Sequence, residues 1–219
     1  MSEADPTKFL RAAGRAALAP LGISLLGRGR NWVDDHGWWI VNIEFQPSGW
    51  SKGSYLNVGV QWLWKPFPAH AFEYGDRVPL RYRGKSVEFI EFGDDTQFRD
   101  AAQQLATTAA REVLKYRELF ATLEATIEVL RKAGPLYRYD LAVAYGLIGR
   151  DQEASRLFAA AAVKDAPRDW EIERNELMDQ LGTLARDTPA FRARVLEIVI
   201  GQRRVLKLND RVVKLPNRI

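Results

Sequence analysis

The chain has 219 residues, enough for one large domain or two small ones, and either size can bury a hydrophobic core without disulfides. Hydrophobic residues make up 47% of the chain and charged residues 27%, which excludes the composition of a disordered protein. The sequence contains no cysteine, which excludes disulfides, thiolate metal sites and cysteine nucleophiles.

The net charge of +4 is unevenly distributed along the chain. Residues 1–95 contain 11 basic and 11 acidic residues, whereas residues 190–219 contain eight basic residues and two acidic ones. A basic C-terminal segment can attract phosphate or an acidic partner, but cations also stabilise helix C-termini. The basic residues of this segment are Arg192, Arg194, Arg203, Arg204, Lys207, Arg211, Lys214 and Arg218.

Membrane association is not expected from the sequence. No uncharged apolar run approaches the ~20 residues that a transmembrane helix needs. The first residues also lack the basic and apolar regions of a signal peptide. We therefore expect a cytoplasmic protein.

The first predicted element is a helix that begins at Asp5-Pro6, where Asp can cap free N–H groups and Pro already has the helical φ. Pro20 and Gly22 end this helix. From Gly27 the apolar period changes from helical to alternating, which predicts an antiparallel meander of about five strands. The predicted strands are 30–33, 39–45, 56–64, 78–83 and 86–92.

Six of the seven tryptophans lie between residues 32 and 64. Trp39, Trp62 and Trp64 alternate in phase with aliphatic residues, so we predict that they belong to the core. Trp38 has the opposite phase, and Trp50 lies in a loop with Lys52. These two tryptophans are therefore the candidates for a surface that binds a partner.

Four short motifs of this region resemble a known family. They are Pro20-Leu21-Gly22-Ile23, Gly27-Arg28-Gly29-Arg30-Asn31-Trp32, Phe45-Gln46-Pro47-Ser48-Gly49-Trp50 and Tyr55-Leu56-Asn57-Val58-Gly59-Val60. Over about residues 8–130 the chain resembles an uncharacterised bacterial family, the domain of unknown function forty-three-oh-four. Pro47 stands where that pattern has a Lys. The resemblance implies a fold, and no established activity comes with it.

A single apolar stripe then runs through residues 98–130, with steps of three or four residues and no Gly or Pro between Thr96 and Ala133. This pattern predicts one long helix, or a helix broken once near Thr107-Thr108. The stripe either packs against the rest of the chain or forms the seam of a homo-oligomer. Its members are Phe98, Ala102, Leu105, Ala109, Val113, Tyr116, Phe120, Leu123, Ile127 and Leu130.

The remaining sequence predicts antiparallel helices. The spacing of small and aromatic residues at about 135–167 resembles a single tetratricopeptide repeat, with Gly149 at its turn. Two further helices are predicted at 170–186 and 189–208, the second capped by Thr188. We therefore predict an α+β fold with a sheet domain at 1–133, including the long helix, and a helical repeat-like domain at 134–219.

No motif for catalysis or cofactor binding is present. His36 and His70 lack the spacing of metal ligands, and the sequence contains neither a phosphate-binding loop nor a nucleophile elbow. The pairs Asp34-Asp35 and Asp94-Asp95 are paired carboxylates, but turns and helix caps explain them better than a cation. We therefore predict no metal and no cofactor, and favour a protein that is not an enzyme.

Three functional hypotheses follow. The first is a bacterial protein-interaction module, with an immunity or defence accessory role compatible with the family resemblance. The second is nucleic-acid binding, in which basic residues contact phosphates and an exposed Trp stacks on a base. The third is a small enzyme with a polar site on the sheet around Asn42, Glu44, Gln46, Asn57 and Gln61, although alternating polar residues usually face water. The candidate binding residues are Trp38, Trp50, Lys52, Arg28, Arg30, Arg203, Arg204 and Lys207.

Overall fold

The structure is a computed structural model that describes residues 5–216. It confirms the predicted α+β fold, with an N-terminal helix, an antiparallel sheet and then helices. The helices are α1 (Pro6–Ala17), α2 (Asp95–Leu119), α3 (Leu123–Ala133), α4 (Arg138–Leu147), α5 (Asp151–Ala161), α6 (Asp169–Leu184) and α7 (Thr188–Val205). The strands are β1 (Ser24–Leu25), β2 (Asn31–Asp35), β3 (Trp39–Gln46), β4 (Gly53–Trp62), β5 (Tyr74–Arg77), β6 (Leu80–Tyr82), β7 (Lys85–Val87) and β8 (Phe89–Glu91).

The described residues form two compact units. The sheet unit comprises the described residues up to Gln61 together with His70–Glu118. The helical unit comprises Trp62–Ala69 and the described residues from Leu119 onwards. The boundary predicted from the sequence, between residues 133 and 134, lies later along the chain, because no residue of the stripe marks the end of α2.

Helix α1 begins where the sequence predicts. The Asp5 side chain accepts a hydrogen bond from the Thr7 N–H at 2.8 Å, and Pro6 occupies the first helical position. The helix ends at Ala17, ahead of Pro20, and buries Phe9 and Leu10.

The sheet has the strand order β1-β2-β3-β4-β5, and β8 also pairs with β4. Strand β8 pairs with residues 53–55 of β4, whereas β5 pairs with residues 57–60. The predicted strands at 78–83 and 86–92 become β8 and a separate hairpin of β6 and β7. Strand β5 was not predicted, because Gly75 and Asp76 interrupt its apolar alternation.

Gly75 shows why a glycine stands in β5. Its φ is +115°, and a Cβ there would lie 2.5 Å from both the Tyr116 hydroxyl and the Val58 carbonyl oxygen. The glycine therefore allows the aromatic ring of α2 to approach the sheet closely.

The predicted stripe is interrupted later than expected. Helix α2 ends at Leu119, and the Thr122 side chain caps α3 by accepting a hydrogen bond from the Ala125 N–H at 3.1 Å. The predicted break near Thr107-Thr108 is wrong, since α2 continues through both residues. No stripe residue is more than 6% exposed in the single chain. The stripe is therefore buried within the chain itself, and a homo-oligomer stays a prediction.

The helical unit contains the predicted hairpin of α4 and α5. Gly149 lies in the short connection with a φ of +78°, and Ala142, Ala154 and Phe158 are buried. The membership of this hairpin in the tetratricopeptide family stays a prediction. The N-cap of α7 is Asp187, whose side chain accepts a hydrogen bond from the Ala190 N–H at 3.1 Å, and the predicted Thr188 cap is wrong. Asp187 has the extended backbone of a cap, whereas Thr188 is already helical.

The segment Trp62–Ala69 packs inside the helical unit. Asp140 is fully buried and accepts hydrogen bonds from Trp64 Nε1 at 3.0 Å and Lys65 Nζ at 3.1 Å. The Gln202 side chain bonds both the N–H and the carbonyl oxygen of Phe67, at 3.0 and 2.6 Å. These buried polar groups are thus satisfied by the segment itself.

Candidate functional site

Trp50 is the most exposed large apolar side chain among the described residues, at 100% exposure. It lies in the loop between β3 and β4, where the Ser48 hydroxyl accepts a hydrogen bond from the Trp50 N–H at 3.1 Å. This local turn directs the chain so that the indole contacts solvent rather than the sheet. The predicted surface position of Trp50 is therefore confirmed.

The C-terminal base of this loop is fixed to the sheet. The Lys52 carbonyl oxygen accepts a hydrogen bond from the Phe92 N–H at 2.8 Å, and the Gly53 carbonyl oxygen accepts one from Arg30 at 3.3 Å. Gly53 has a φ of +152°, and a Cβ there would lie 2.2 Å from the Ile90 carbonyl oxygen. Only glycine therefore allows β4 to approach β8 this closely, and this approach anchors the base of the loop.

A cleft of about 470 Å³ lies beside Trp50. It brings together three of the predicted binding residues, Arg30, Trp50 and Lys52. Its lining comprises Asp5, Pro6, Arg30, Pro47, Ser48, Gly49, Trp50, Ser51, Lys52 and Gly53.

Arg30 is held in place by its neighbours. Its Nε and one terminal nitrogen donate to the Thr7 hydroxyl at 3.0 and 2.8 Å, and Asp5 lies 3.7 Å away. Burial lowers the pKa of Arg30, and the charge of Asp5 opposes that shift only in part. Hydrogen bonds from Thr7 lower the pKa of Asp5, with a further contribution from Arg30. Among the described residues that line the cleft, two are cations, Arg30 and Lys52, and one is a carboxylate, Asp5.

Two other candidates in the sheet unit do not join this cleft. Arg28 is exposed but is not among the residues that line it. Trp38 is only 7% exposed, so its predicted surface position is wrong. Trp38 lies in the turn before β3, where the chain is not extended and the alternation rule does not apply. Its ring centroid lies 6.1 Å from that of Trp39.

The basic C-terminal candidates divide into buried and exposed residues. Arg203 is 5% exposed and donates to the Asn209 carbonyl oxygen at 2.7 Å, so its side chain is buried, whereas the predicted contact with phosphate requires an exposed side chain. Arg203 lies on the buried face of α7. A count of charged residues along the sequence does not show which face of a helix each of them occupies. Arg204 and Lys207 are exposed, and Arg218 lies outside the described residues.

Three of the five polar residues proposed for the sheet, Asn42, Asn57 and Gln61, are buried, and Glu44 and Gln46 are half-buried, contrary to the expectation that they face water. Asn42 and Gln61 are 4% and 1% exposed. Asn42 Nδ2 donates to the Gln61 side-chain oxygen at 3.0 Å and to the Ala71 carbonyl oxygen at 2.7 Å. The Ala71 N–H donates to the same Gln61 oxygen at 3.0 Å. The two amides therefore bind the backbone at residue 71 instead of water.

This network also assigns the proton of His70. A carbonyl oxygen can only accept a hydrogen bond, so the Asn42 atom that faces the Ala71 carbonyl oxygen must be the amide nitrogen. The Asn42 oxygen then faces His70 Nδ1 at 2.8 Å, so Nδ1 carries the hydrogen. His70 thus helps to hold the chain at residues 70 and 71 against β3 and β4.

A second polar group surrounds Asn57. Its Nδ2 donates to Glu44 and to Gln46, each at 3.0 Å. Arg77 donates to the same Gln46 oxygen at 2.9 Å, and its guanidinium lies 3.9 Å from the centre of the Tyr55 ring. The polar side chains proposed for an enzyme site therefore satisfy one another.

Asp34 forms a buried ionic cluster, whereas the sequence indicates only a turn at this position. Asp34 is 3% exposed, and Arg117 donates to its two oxygens at 2.8 and 2.7 Å. His36 Nε2 donates to Asp34 at 2.6 Å, and its ring stacks on Trp39 with centroids 4.0 Å apart. Burial raises the pKa of Asp34, but the hydrogen bonds from His36 and Arg117 outweigh it, and the pKa lies below its ordinary value.

Within residues 5–216, no group of three or more histidine, cysteine or acidic side chains is arranged to hold a metal ion. Nor does any helix in that range have the length and apolar character needed to cross a membrane. Asp94 caps α2 by accepting hydrogen bonds from the Thr96 and Gln97 N–H groups at 2.9 and 2.8 Å, as its sequence position predicts.

No protein-family model, curated protein or solved structure matches this chain. The resemblance to the forty-three-oh-four family therefore stays a prediction.

Proposed function

We propose that the protein is a non-catalytic interaction module that binds a partner protein through the Trp50 surface, defined as Trp50, Arg30, Lys52 and the cleft between them. The observation that carries this proposal is the complete exposure of Trp50 on an anchored loop. A cytoplasmic location and an accessory role in bacterial immunity or defence are further parts of the proposal.

The geometry of the loop supports binding. Tryptophan is among the residues that most often dominate the energy of a protein interface, because it buries a large apolar area with few rotatable bonds. An anchored loop loses little entropy on association, so more of that energy appears as affinity. Trp50 is therefore suited to insert into an apolar pocket of the partner.

The charges of the cleft favour a partner with acidic residues around that pocket. In the part of the cleft lining that the structure describes, Arg30 and Lys52 outnumber Asp5, and a carboxylate of the partner at the rim of the cleft would complement these charges. Such a rim contact would affect the rate of association and its salt dependence more than the affinity.

The test is site-specific photo-crosslinking with a photoreactive amino acid at position 50, and at position 170 as a control. Trp170 is 51% exposed, belongs to the helical unit and does not line the cleft, so it presents the same type of side chain on a different unit. We expect one partner to cross-link at position 50 and not at position 170. Trp50→Ala should then weaken binding of that purified partner by about 2 kcal/mol, roughly 30-fold. Equal cross-linking at both positions, or an unchanged affinity in Trp50→Ala, would refute the proposal.

Nucleic-acid binding is a weaker alternative. Arg204 and Lys207 are exposed, but Arg203 is committed to a backbone carbonyl. Binding of a labelled oligonucleotide at two salt concentrations tests it, because phosphate contacts weaken steeply as salt rises. An enzyme receives still less support, since the amides of the sheet bind one another and the backbone.

A further inference from the structure

Residues 208–216 form no helix or strand. We call this segment the tail. Helix α7 ends in a turn in which Lys207 has a left-handed φ of 54°. The Leu208 N–H donates to the Arg203 carbonyl oxygen at 3.0 Å, and the Lys207 N–H donates to that of Arg204 at 3.1 Å. This pair of hydrogen bonds is the Schellman motif, which here has lysine instead of the usual glycine. The turn reverses the chain.

The reversed tail runs back along α7 and is held by its carbonyl groups. Arg203 donates to the Asn209 carbonyl oxygen at 2.7 Å, and Arg192 donates to the Leu215 carbonyl oxygen at 3.3 Å. Positions 192 and 203 are ~16 Å apart along a helix, and six extended residues span ~20 Å. The tail is therefore nearly extended and antiparallel to α7.

The side chains of the tail alternate as in a strand. Leu215 is 8% exposed and Val213 is half-buried, whereas Val212 is 83% exposed and Lys214 is exposed. A cleft of about 300 Å³ remains between the tail and α7, lined by Arg192, Ala193, Leu196, Val213, Lys214 and Leu215. The described contacts between the tail and α7 thus include main-chain carbonyls and two aliphatic side chains two residues apart.

We propose that this face of α7 is a binding site for an extended peptide of a partner protein, with aliphatic side chains two residues apart. The protein's own tail occupies the site as a tethered ligand. Carbonyl recognition by Arg192 and Arg203 does not depend on side chains, so a peptide with the Val-x-Leu pattern can replace the tail. This site belongs to the helical unit and does not depend on the role proposed for Trp50.

The absence of native cysteine permits a direct test with a single introduced thiol in the full chain. In Leu215→Cys the thiol is covered by α7, and in Val212→Cys it is exposed. We expect Cys at 215 to react with Ellman's reagent at least about tenfold more slowly than Cys at 212, because reaction requires the tail to open. A synthetic peptide of residues 207–216 should raise the rate at position 215 towards that at 212. The same peptide with V213D and L215D should have no effect.

Since a tethered ligand has an effective concentration in the millimolar range, millimolar peptide is needed to compete. A protected thiol at 215 whose rate is unchanged by this peptide would overturn the proposal. If Leu215→Cys itself releases the tail, the two thiols react at the same rate. In that case binding of the labelled peptide to the Leu215→Cys variant, measured by fluorescence anisotropy, tests the proposal. Saturable binding to that variant, at least about tenfold tighter than to the unaltered chain, supports the proposal. Absence of peptide binding overturns the proposal. Dimerisation without peptide that protects the thiol at 215 also overturns it, because the site would then bind a second copy of the chain.

Discussion

Asp34 is a carboxylate that the sheet unit surrounds with donors. Arg117 occupies both of its oxygens and also donates to the Leu21 carbonyl at 2.7 Å, so a single guanidinium joins α2 to two earlier segments. A buried carboxylate is stable only because these hydrogen bonds and the opposite charge offset its desolvation.

We predict that Asp34→Asn lowers the free energy of unfolding by about 2 kcal/mol at pH 7, because Arg117 loses its ionic partner. The pKa of Asp34 is lower in the folded state than the ordinary value near 3.9 in the unfolded chain. Its contribution is therefore present above pH ~4 and is lost as the pH falls through the folded pKa. Urea unfolding of wild type and variant should differ less at pH 3 than at pH 7.

Asp95→Asn is the matched control in the same unit. Asp95 pairs with Lys8 at 3.2 Å, but both side chains are about half exposed. Such a pair contributes less than about 1 kcal/mol, so this substitution should change stability little at either pH. A loss in Asp34→Asn that is equal at both pH values would contradict the ionic role of Asp34.

The sequence predicted Trp50, Lys52 and Arg30 as binding candidates, and the structure places all three at one cleft. It did not predict the ion pair of Asp34, because Arg117 is 83 positions away and nothing local indicates the contact. Trp38 was misassigned for a different reason, since phase along a strand has no meaning in a turn.

At the scale of elements, local chemistry determines where helices begin. Asp5, Asp94, Thr122 and Asp187 each accept a hydrogen bond from an N–H group of the first turn that has no partner within its helix. The sequence identified the first two, whereas the break before α3 was missed because Phe120 and Leu123 continue the apolar stripe without a gap. Periodicity alone therefore does not show where one helix becomes two.

The N-terminus of α7 allows this rule to be tested at adjacent residues. Asp187→Ala should destabilise the protein by about 1 kcal/mol, because the Ala190 N–H loses its acceptor. Thr188→Ala should change stability by less than about 0.5 kcal/mol, since Thr188 is inside the helix. Thermal unfolding of both variants measures the difference. A larger effect of Thr188→Ala would restore Thr188 as the cap.

At the scale of the whole chain, the sequence and the structure divide the protein differently. The change of period near residue 92 correctly separates strands from helices, but it assigns residues 62–69 to the sheet domain. The structure includes these residues in the helical unit, where Trp62 stacks parallel to Trp64 at 6.3 Å and contacts the Phe120 ring edge-on at 5.6 Å. The hydrophobic period of a segment indicates whether it forms a helix or a strand, but it does not indicate the unit in which that segment packs.

We therefore predict that residues 119–219 do not fold as an independent domain. Without Trp62–Ala69, the buried Asp140 loses the two donors Trp64 and Lys65, and Gln202 loses the backbone of Phe67. A buried carboxylate without partners costs several kcal/mol, a large part of the stability of a domain of this size. The isolated fragment should give poorly dispersed amide NMR signals and a non-cooperative thermal transition, whereas the full chain should give neither. A well-dispersed spectrum with a cooperative transition would show that the helices fold without residues 62–69 and would contradict this prediction.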